Sequence, residues 1–137
     1  MDDLVQFLRD RLAEDEQVAR AAMWDELSDV WTARPPQARY EQYIVADYLD
    51  DGVVVVTPEN ADADGVGRHI ARHDPARVLR EVEAKRQLLD TFLPDAAGAD
   101  EQINDEWRAG STLAVDLLCL LALPYTDHPD YRPEWGP

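Results

Sequence analysis

The chain has 137 residues and a mass of 15.5 kDa, which is the size of one ordinary domain. Its 29 acidic residues outnumber its 13 basic ones, and the formal net charge of −16 argues against direct nucleic-acid binding, which requires a basic surface. A hydrophobic fraction of 45% is enough for a packed core, while the single cysteine, Cys119, excludes an internal disulfide and a zinc site built from several cysteines.

The first predicted element is an amphipathic helix over residues 3–22 or longer, with apolar side chains recurring on one face. Arg11 and Asp15 interrupt that face at i,i+4 spacing, which predicts a structural ion pair at the edge of the core. Trp24 and Trp31 lie off the apolar face. Either the helix ends near residue 23 or these two rings cover a second surface.

A β-hairpin is predicted at about residues 39–57, and an additional short strand is left open. The Pro35-Pro36 pair prevents further helix, and β-branched and aromatic residues follow. The Asp50-Asp51-Gly52 sequence supplies the turn, because glycine adopts a positive φ without strain.

Two helices are expected next, over residues 62–73 and 75–93. The second shows the clearest apolar face in the sequence. Asp74 followed by Pro75 is typical of an N-cap and the first helical position, so a new helix should begin there.

The last predicted helix covers residues 101–122 and is followed by an extended tail over 124–137 that contains four prolines. Residues 113–123 are apolar almost all round, which predicts a central helix with Asp116 as a buried carboxylate held by a partner. This stretch is too short to cross a membrane, and no signal peptide is apparent, so we expect a cytoplasmic protein.

Together these elements predict a single mainly helical α+β domain over residues 1–137, with three to four helices, one hairpin and a tail rich in proline and aromatic residues.

Three histidines raise a metal hypothesis. His69 and His73 are four residues apart, a spacing that presents two imidazoles to one ion, and His128 could supply a third ligand. A metal-dependent hydrolase or metal-binding protein is therefore one alternative, although His73 also fits a hydrogen-bonded position in the core. The sequence contains no convincing catalytic set, phosphate loop or dinucleotide fingerprint. We assign no catalytic residue and no cofactor, and expect a protein that is not an enzyme.

Aromatic residues give the leading hypothesis, a non-enzymatic module that binds a protein partner. Tryptophan and tyrosine often dominate binding energies, and the excess of carboxylates would steer a basic partner. The candidate partner-binding residues are Trp24, Trp31, Tyr125, Tyr131 and Trp135. A second alternative is an acidic DNA mimic that inhibits a nucleic-acid-binding protein. Homo-oligomerisation stays open, as does the question whether the tail docks on its own chain or on a partner.

Three blocks of sequence resemble a known family. They are the opening MDDLVQFL, the block HIARHDPARVLREVEAKR at 69–86, and LLALPY at 120–125 with HPDYR at 128–132 and Trp135. They are similar to a large group of small actinobacterial and actinophage proteins assigned only as a domain of unknown function. The resemblance implies a shared fold and an actinobacterial or phage origin, which also suits twelve arginines to one lysine. It implies no activity. Many members carry paired cysteines between the two longer blocks, and this chain has none there.

Overall fold

A computed structural model describes residues 2–92 and 113–137 of the chain. The described residues contain several helices and a three-stranded antiparallel sheet, which confirms the predicted α+β fold class. The chain divides into two compact units. The terminal unit comprises Met1–Asp15 and Val82–Pro137, the central unit comprises Glu16–Glu81, and each is described by itself.

The regular elements follow one another along the chain as helices α1 (Asp2–Ala21), α2 (Ala63–Arg72), α3 (Pro75–Gln87) and α4 (Leu113–Ala122), and strands β1 (Thr32–Arg34), β2 (Ile44–Ala46) and β3 (Gly52–Val55). A π-helical turn at Leu88–Phe92 continues α3. The described helices lie within a few residues of their predicted positions. Residues 101–112 of the last predicted helix lie outside the described residues.

The sheet of the central unit has the order β1-β2-β3, with both neighbouring pairs antiparallel. Strands β2 and β3 form the predicted hairpin, and β1 is the additional strand. A small core forms where α2 packs on this sheet. Its buried residues are Tyr43, Val45 and Val56, and the side chains packed against them include Trp31, Val66 and Ile70.

The hairpin turn differs from the prediction in the residue that takes the left-handed conformation. Asp50 has a φ of 60°, and no glycine among the described residues has a positive φ. Aspartate tolerates this region better than most residues because its short side chain bonds locally. The backbone N–H of Asp50 donates to the Asp47 carbonyl at 3.1 Å, and the Arg34 guanidinium pairs with the Asp50 carboxylate.

Gly67 of α2 lies directly against the buried ring of Tyr43. A Cβ atom at position 67 would stand 2.2 Å from Cε1 of that ring, so the helix can pack this closely only without a side chain there. The Tyr43 hydroxyl donates to Oδ1 of Asp64 at 2.7 Å, which fixes the ring against the helix.

Asp74 caps the N-terminus of α3. Its Oδ1 accepts the backbone N–H of Arg77 at 2.9 Å, and its Oδ2 accepts the backbone N–H of Trp31 at 3.1 Å. The buried carboxylate therefore joins the start of α3 to the segment that precedes β1.

The terminal unit buries apolar side chains from α1, from the end of α3 with its π-helical turn, and from α4. They are Leu4, Phe7, Leu8, Leu12, Val82, Leu89, Ala114, Leu118 and Ala122. In the tail, Leu123–Tyr125 and Pro133–Trp135 form short 3-10 helices. No helix in the described ranges is both long and apolar enough to cross a bilayer.

The prediction that α4 is buried all round is wrong. Ala114, Leu118 and Ala122 form one buried stripe, whereas Leu113 is 60% exposed and Leu120 is 59% exposed. Asp116 is exposed, not buried. Asp116 lies two residues from both Ala114 and Leu118. At 100° per residue, its side chain therefore points about 160–200° away from the buried stripe.

Candidate partner-binding surface

Trp24 and Tyr48 form an exposed aromatic pair in the central unit. Trp24 follows the C-terminal end of α1, and Tyr48 follows β2. Their ring planes differ by 12° and their centroids are 6.0 Å apart, which is a stacked arrangement. Trp24 nevertheless keeps 61% of its surface exposed and Tyr48 keeps 44%. Trp24 therefore stacks on Tyr48 and still leaves most of its surface free to contact a partner.

Two carboxylates hold this ring pair in place. The Trp24 indole Nε1–H donates to Oδ2 of Asp47 at 2.6 Å, and the Tyr48 hydroxyl donates to Oδ2 of Asp25 at 2.5 Å. Ser28 Oγ accepts the backbone N–H of Trp24 at 2.9 Å, which fixes the main chain below the indole. The ring edges and the backbone are both restrained in the free protein. Binding of a partner to the pair would therefore cost little side-chain conformational entropy.

The same hydrogen bonds shift the pKa values of Asp47 and Tyr48. The bond from Trp24 Nε1–H lowers the pKa of Asp47 below its usual value of 3.8, so this carboxylate is ionised at neutral pH. The bond to Asp25 raises the pKa of Tyr48 from 10.0 to about 12, so its hydroxyl keeps its proton. At neutral pH the aromatic pair therefore lies beside the Asp47 anion, and the neutral Tyr48 hydroxyl donates its proton to Asp25.

An open cavity of about 460 Å³ lies beside Trp24. The segment that follows α1 and the turn between β2 and β3 supply most of its wall. The described lining residues are Ala21, Ala22, Met23, Trp24, Asp47, Asp51, Gly52 and Val53. The wall is thus apolar apart from two carboxylates and the indole.

Further exposed apolar side chains flank the pair in sequence, namely Leu27, Val30 and Leu49 at 64%, 55% and 51% exposure. The two segments that carry these residues, 21–30 and 46–53, contain six carboxylates and no lysine or arginine. Apolar side chains among carboxylates of one sign are suited to a partner that is apolar and basic.

The other tryptophan of the central unit is part of the fold. Trp31 is half-buried against the core of the sheet, and its indole N–H donates to the Ser28 carbonyl at 3.0 Å. Of the two tryptophans near the end of α1, only Trp24 presents most of its ring to solvent.

The three aromatic candidates of the tail surround Phe7 on α1, all within the terminal unit. Centroid distances to Phe7 are 6.3 Å for Tyr125, 6.1 Å for Tyr131 and 5.0 Å for Trp135. Arg132 reinforces this contact through an ion pair with Asp3 at 3.1 Å. The tail therefore docks on its own chain, and these rings are half-buried there.

Polar contacts beneath the tail differ from the predicted Arg11–Asp15 pair. The buried Arg11 guanidinium pairs with Glu14 at 2.9 Å and approaches Nδ1 of His128 at 3.2 Å. Asp15 instead accepts the Tyr125 hydroxyl at 2.5 Å. The Arg11–Asp15 prediction is wrong because a residue one position closer and a tyrosine from the distant tail offer better partners.

The histidines fall in different surroundings. His69 and His73 are exposed in the central unit with ring centroids 4.6 Å apart, so the core position considered for His73 is wrong. The α2 helix ends at Arg72, and His73 is its C-cap with non-helical backbone angles. His128, in the terminal unit, accepts the Asp130 backbone N–H at its Nδ1. Within residues 2–92 and 113–137, no three His, Cys, Asp or Glu side chains are grouped to hold a metal ion.

The sequence does not reveal Tyr48, Asp47 or Asp25, the residues that complete the site around Trp24. Asp47 and Asp25 are ordinary carboxylates in the sequence, and their role depends on contacts over more than twenty residues. The one local signal is the turn at Asp47, whose Oδ1 accepts the Leu49 backbone N–H at 3.0 Å as aspartate commonly does.

Comparison with known proteins adds one finding. Residues 1–137 match the profile of a family described as a family of unknown function. No curated protein and no solved structure matches the chain.

Proposed function

The chain belongs to this family of unknown function, DUF6221, and we propose that it is a non-enzymatic protein-interaction module that binds a protein partner through the surface around Trp24 and Tyr48. The observation that carries this proposal is a tryptophan with 61% of its surface exposed that is nonetheless stacked and hydrogen-bonded in place. An ordinary solvent-facing tryptophan has no need of a buried carboxylate to hold its indole.

An exposed tryptophan ring that is held in place can contribute a large share of the binding energy of a complex. Removing a tryptophan at the centre of an interface commonly costs about 2–4 kcal/mol of binding energy. The restraints on Trp24 by Asp47 and on Tyr48 by Asp25 reduce the entropy that binding would otherwise remove.

Charge supports a basic partner. The chain carries −16 overall, and the segments beside the aromatic pair contain carboxylates alone among their charged residues. Such a field accelerates association with a positive surface and makes the rate fall with added salt. We also propose an actinobacterial or actinophage origin, on the sequence blocks that resemble that group. The cytoplasmic location expected from the sequence stays a prediction.

The test compares three forms of the full chain as bait in an actinobacterial lysate: the wild type, Trp24→Ala and the matched control Tyr40→Ala. Tyr40 is 87% exposed in the same unit, so its removal also deletes an exposed aromatic ring. We expect wild type and Tyr40→Ala to retain the same protein, and Trp24→Ala to bind that purified protein about 30-fold or more weakly. Equal affinity for all three baits would contradict the proposal.

Two other outcomes would support the alternatives. If duplex DNA competes with the chain for the retained protein, and Trp24→Ala binds as well as wild type, the acidic DNA mimic is favoured. If untagged protein carries close to one equivalent of a transition metal that is lost on replacing His69 and His73, the metal hypothesis is favoured. Both outcomes are independent of the aromatic pair.

A further inference from the structure

We propose that the cavity beside Trp24 receives an arginine side chain from a basic segment of the partner, an inference that rests on the proposed function. Its volume of about 460 Å³ lies in the range of about 300–1,000 Å³ that is usual for pockets that bind small groups. The lining residues supply, in one place, the three kinds of contact that an arginine side chain makes.

The apolar part of the wall suits the methylene stem. The cavity is lined by Ala21 at the end of α1, by Ala22 and Met23 just after it, and by Val53 of β3. Arginine buries its three methylene groups along such surfaces while the guanidinium reaches polar partners.

Trp24 and the two carboxylates suit the charged group. Tryptophan is the most favourable aromatic partner of a cation, and guanidinium stacks on its face. Asp47 is only 6% exposed and is held by the indole N–H, so its carboxylate has a fixed position in the wall. Asp51 lines the same cavity and is exposed.

Charge complementarity selects the class of occupant. None of the described lining residues is basic, and two are acidic, so a phosphate group or an acidic peptide would be repelled. Arginine is favoured over lysine because its planar group can pair with the exposed Asp51 carboxylate through two parallel N–H bonds and can also stack on the Trp24 indole.

The experiment is a titration of the ¹⁵N-labelled full chain, followed through its indole N–H resonances. The chain has four tryptophans, and Trp24→Phe identifies the resonance of Trp24. The probes are acetyl-arginine amide, acetyl-lysine amide and acetyl-citrulline amide, of which citrulline has the shape of arginine without its charge. We expect saturable shifts of the Trp24 resonance with arginine, and at least about fivefold weaker binding of citrulline.

One substitution and one matched control add a second test. Asp51→Asn removes a carboxylate from the cavity without touching the bond between Trp24 and Asp47, and should weaken arginine binding about two- to fivefold. Glu59→Gln removes an exposed carboxylate outside the lining and should change it by less than about 1.5-fold. Equal binding of arginine and citrulline, or no effect of Asp51→Asn, would overturn the inference.

The two proposals can fail separately. If Trp24→Ala loses the partner while the arginine probe does not bind, the interaction module stands and the arginine pocket is refuted. If the arginine probe binds but the partner is retained by Trp24→Ala, the pocket stands as a cation site and the proposed function is refuted. The contrast between arginine and citrulline is measured on the wild-type chain, and a variant is used only to assign the Trp24 resonance.

Discussion

Two glycines in one helix should respond in opposite ways to the same substitution. Gly67 and Gly65 both lie in α2, and replacing either by alanine improves intrinsic helix propensity by about 1 kcal/mol. The difference between them lies in what an added Cβ atom would meet. We therefore expect Gly67→Ala to destabilise the protein and Gly65→Ala to leave it unchanged or slightly more stable.

The magnitude at position 67 follows from the distance to Tyr43. A Cβ there would stand 2.2 Å from Cε1, 2.9 Å from Cζ and 3.1 Å from Cδ1, and the ring is buried. Overpacking of this severity belongs at the upper end of the usual cost, about 3 kcal/mol. Weakening the Tyr43–Asp64 hydrogen bond adds about 1 kcal/mol, which the propensity gain offsets. The net loss is about 3 kcal/mol, or about 10 °C in Tm for a chain of this length.

The control at position 65 meets only the end of an exposed side chain. Its Cβ would lie 3.3 Å from Oδ2 of Asp62, the N-cap oxygen of α2 that accepts the Gly65 N–H at 2.9 Å, so a shift of the exposed Asp62 side chain by a few tenths of an ångström relieves the contact. We expect a gain of up to about 1 kcal/mol. Both values are measured by urea unfolding followed by circular dichroism.

A double mutant tests the cause. In a Tyr43→Leu background the ring is absent, so Gly67→Ala should cost less than about 1 kcal/mol there. The reasoning is refuted if Gly67→Ala and Gly65→Ala shift stability alike, or if the cost at position 67 is the same with and without the tyrosine ring.

Three further predictions concern single contacts. Asp74→Ala removes the cap of α3 and should cost about 2 kcal/mol in urea unfolding; a loss below about 0.5 kcal/mol would contradict that role. The bond between Tyr48 and Asp25 stabilises the fold fully below pH 10.0, and its contribution should disappear as the pH rises to about 12, with Tyr48 ionising late in absorbance at 295 nm; an unshifted titration argues against the bond. Trp135→Ala should destabilise the protein by about 2 kcal/mol, whereas the exposed neighbour Glu134→Ala should stay within about 0.5 kcal/mol; equal effects would refute tail docking.

Local signals in the sequence were sufficient for the helices and the hairpin. Apolar periodicity located α1 and α3, and the Asp74-Pro75 pair fixed the start of α3, because capping depends on residues that are adjacent in the chain. The sequence does not decide the additional strand β1, since three residues carry too little pattern to distinguish a strand from a loop.

The sequence does not predict which hydrogen-bond or ion-pair partner a polar side chain takes. Arg11 had acidic residues three and four positions away, and the choice of Glu14 depended on His128 and Tyr125, more than a hundred residues later. Apolar residues surround Asp116 in the sequence and predict that it is buried, but it is exposed. When a helix is apolar on all sides, its sequence does not reveal which stripe packs inward.

The candidate site was predicted only in part. Trp24 was among five aromatic candidates, and nothing local separated it from Trp31 or from the rings of the tail. What distinguishes it is the hydrogen bond to Asp47, which forms only when β2 returns to the end of α1. The site is thus a product of tertiary structure.

The contacts between α1 and the tail have a consequence for synthesis of the protein. Asp15 and Tyr125 are 110 positions apart, and Arg11 and His128 are 117 apart. The first half of α1 therefore leaves the ribosome long before the segment that covers it, and Phe7 stays uncovered until residues 125–135 have been synthesised. Closing so large a loop comes late in folding, so the nascent chain should depend on chaperones most strongly before residues 125–135 emerge.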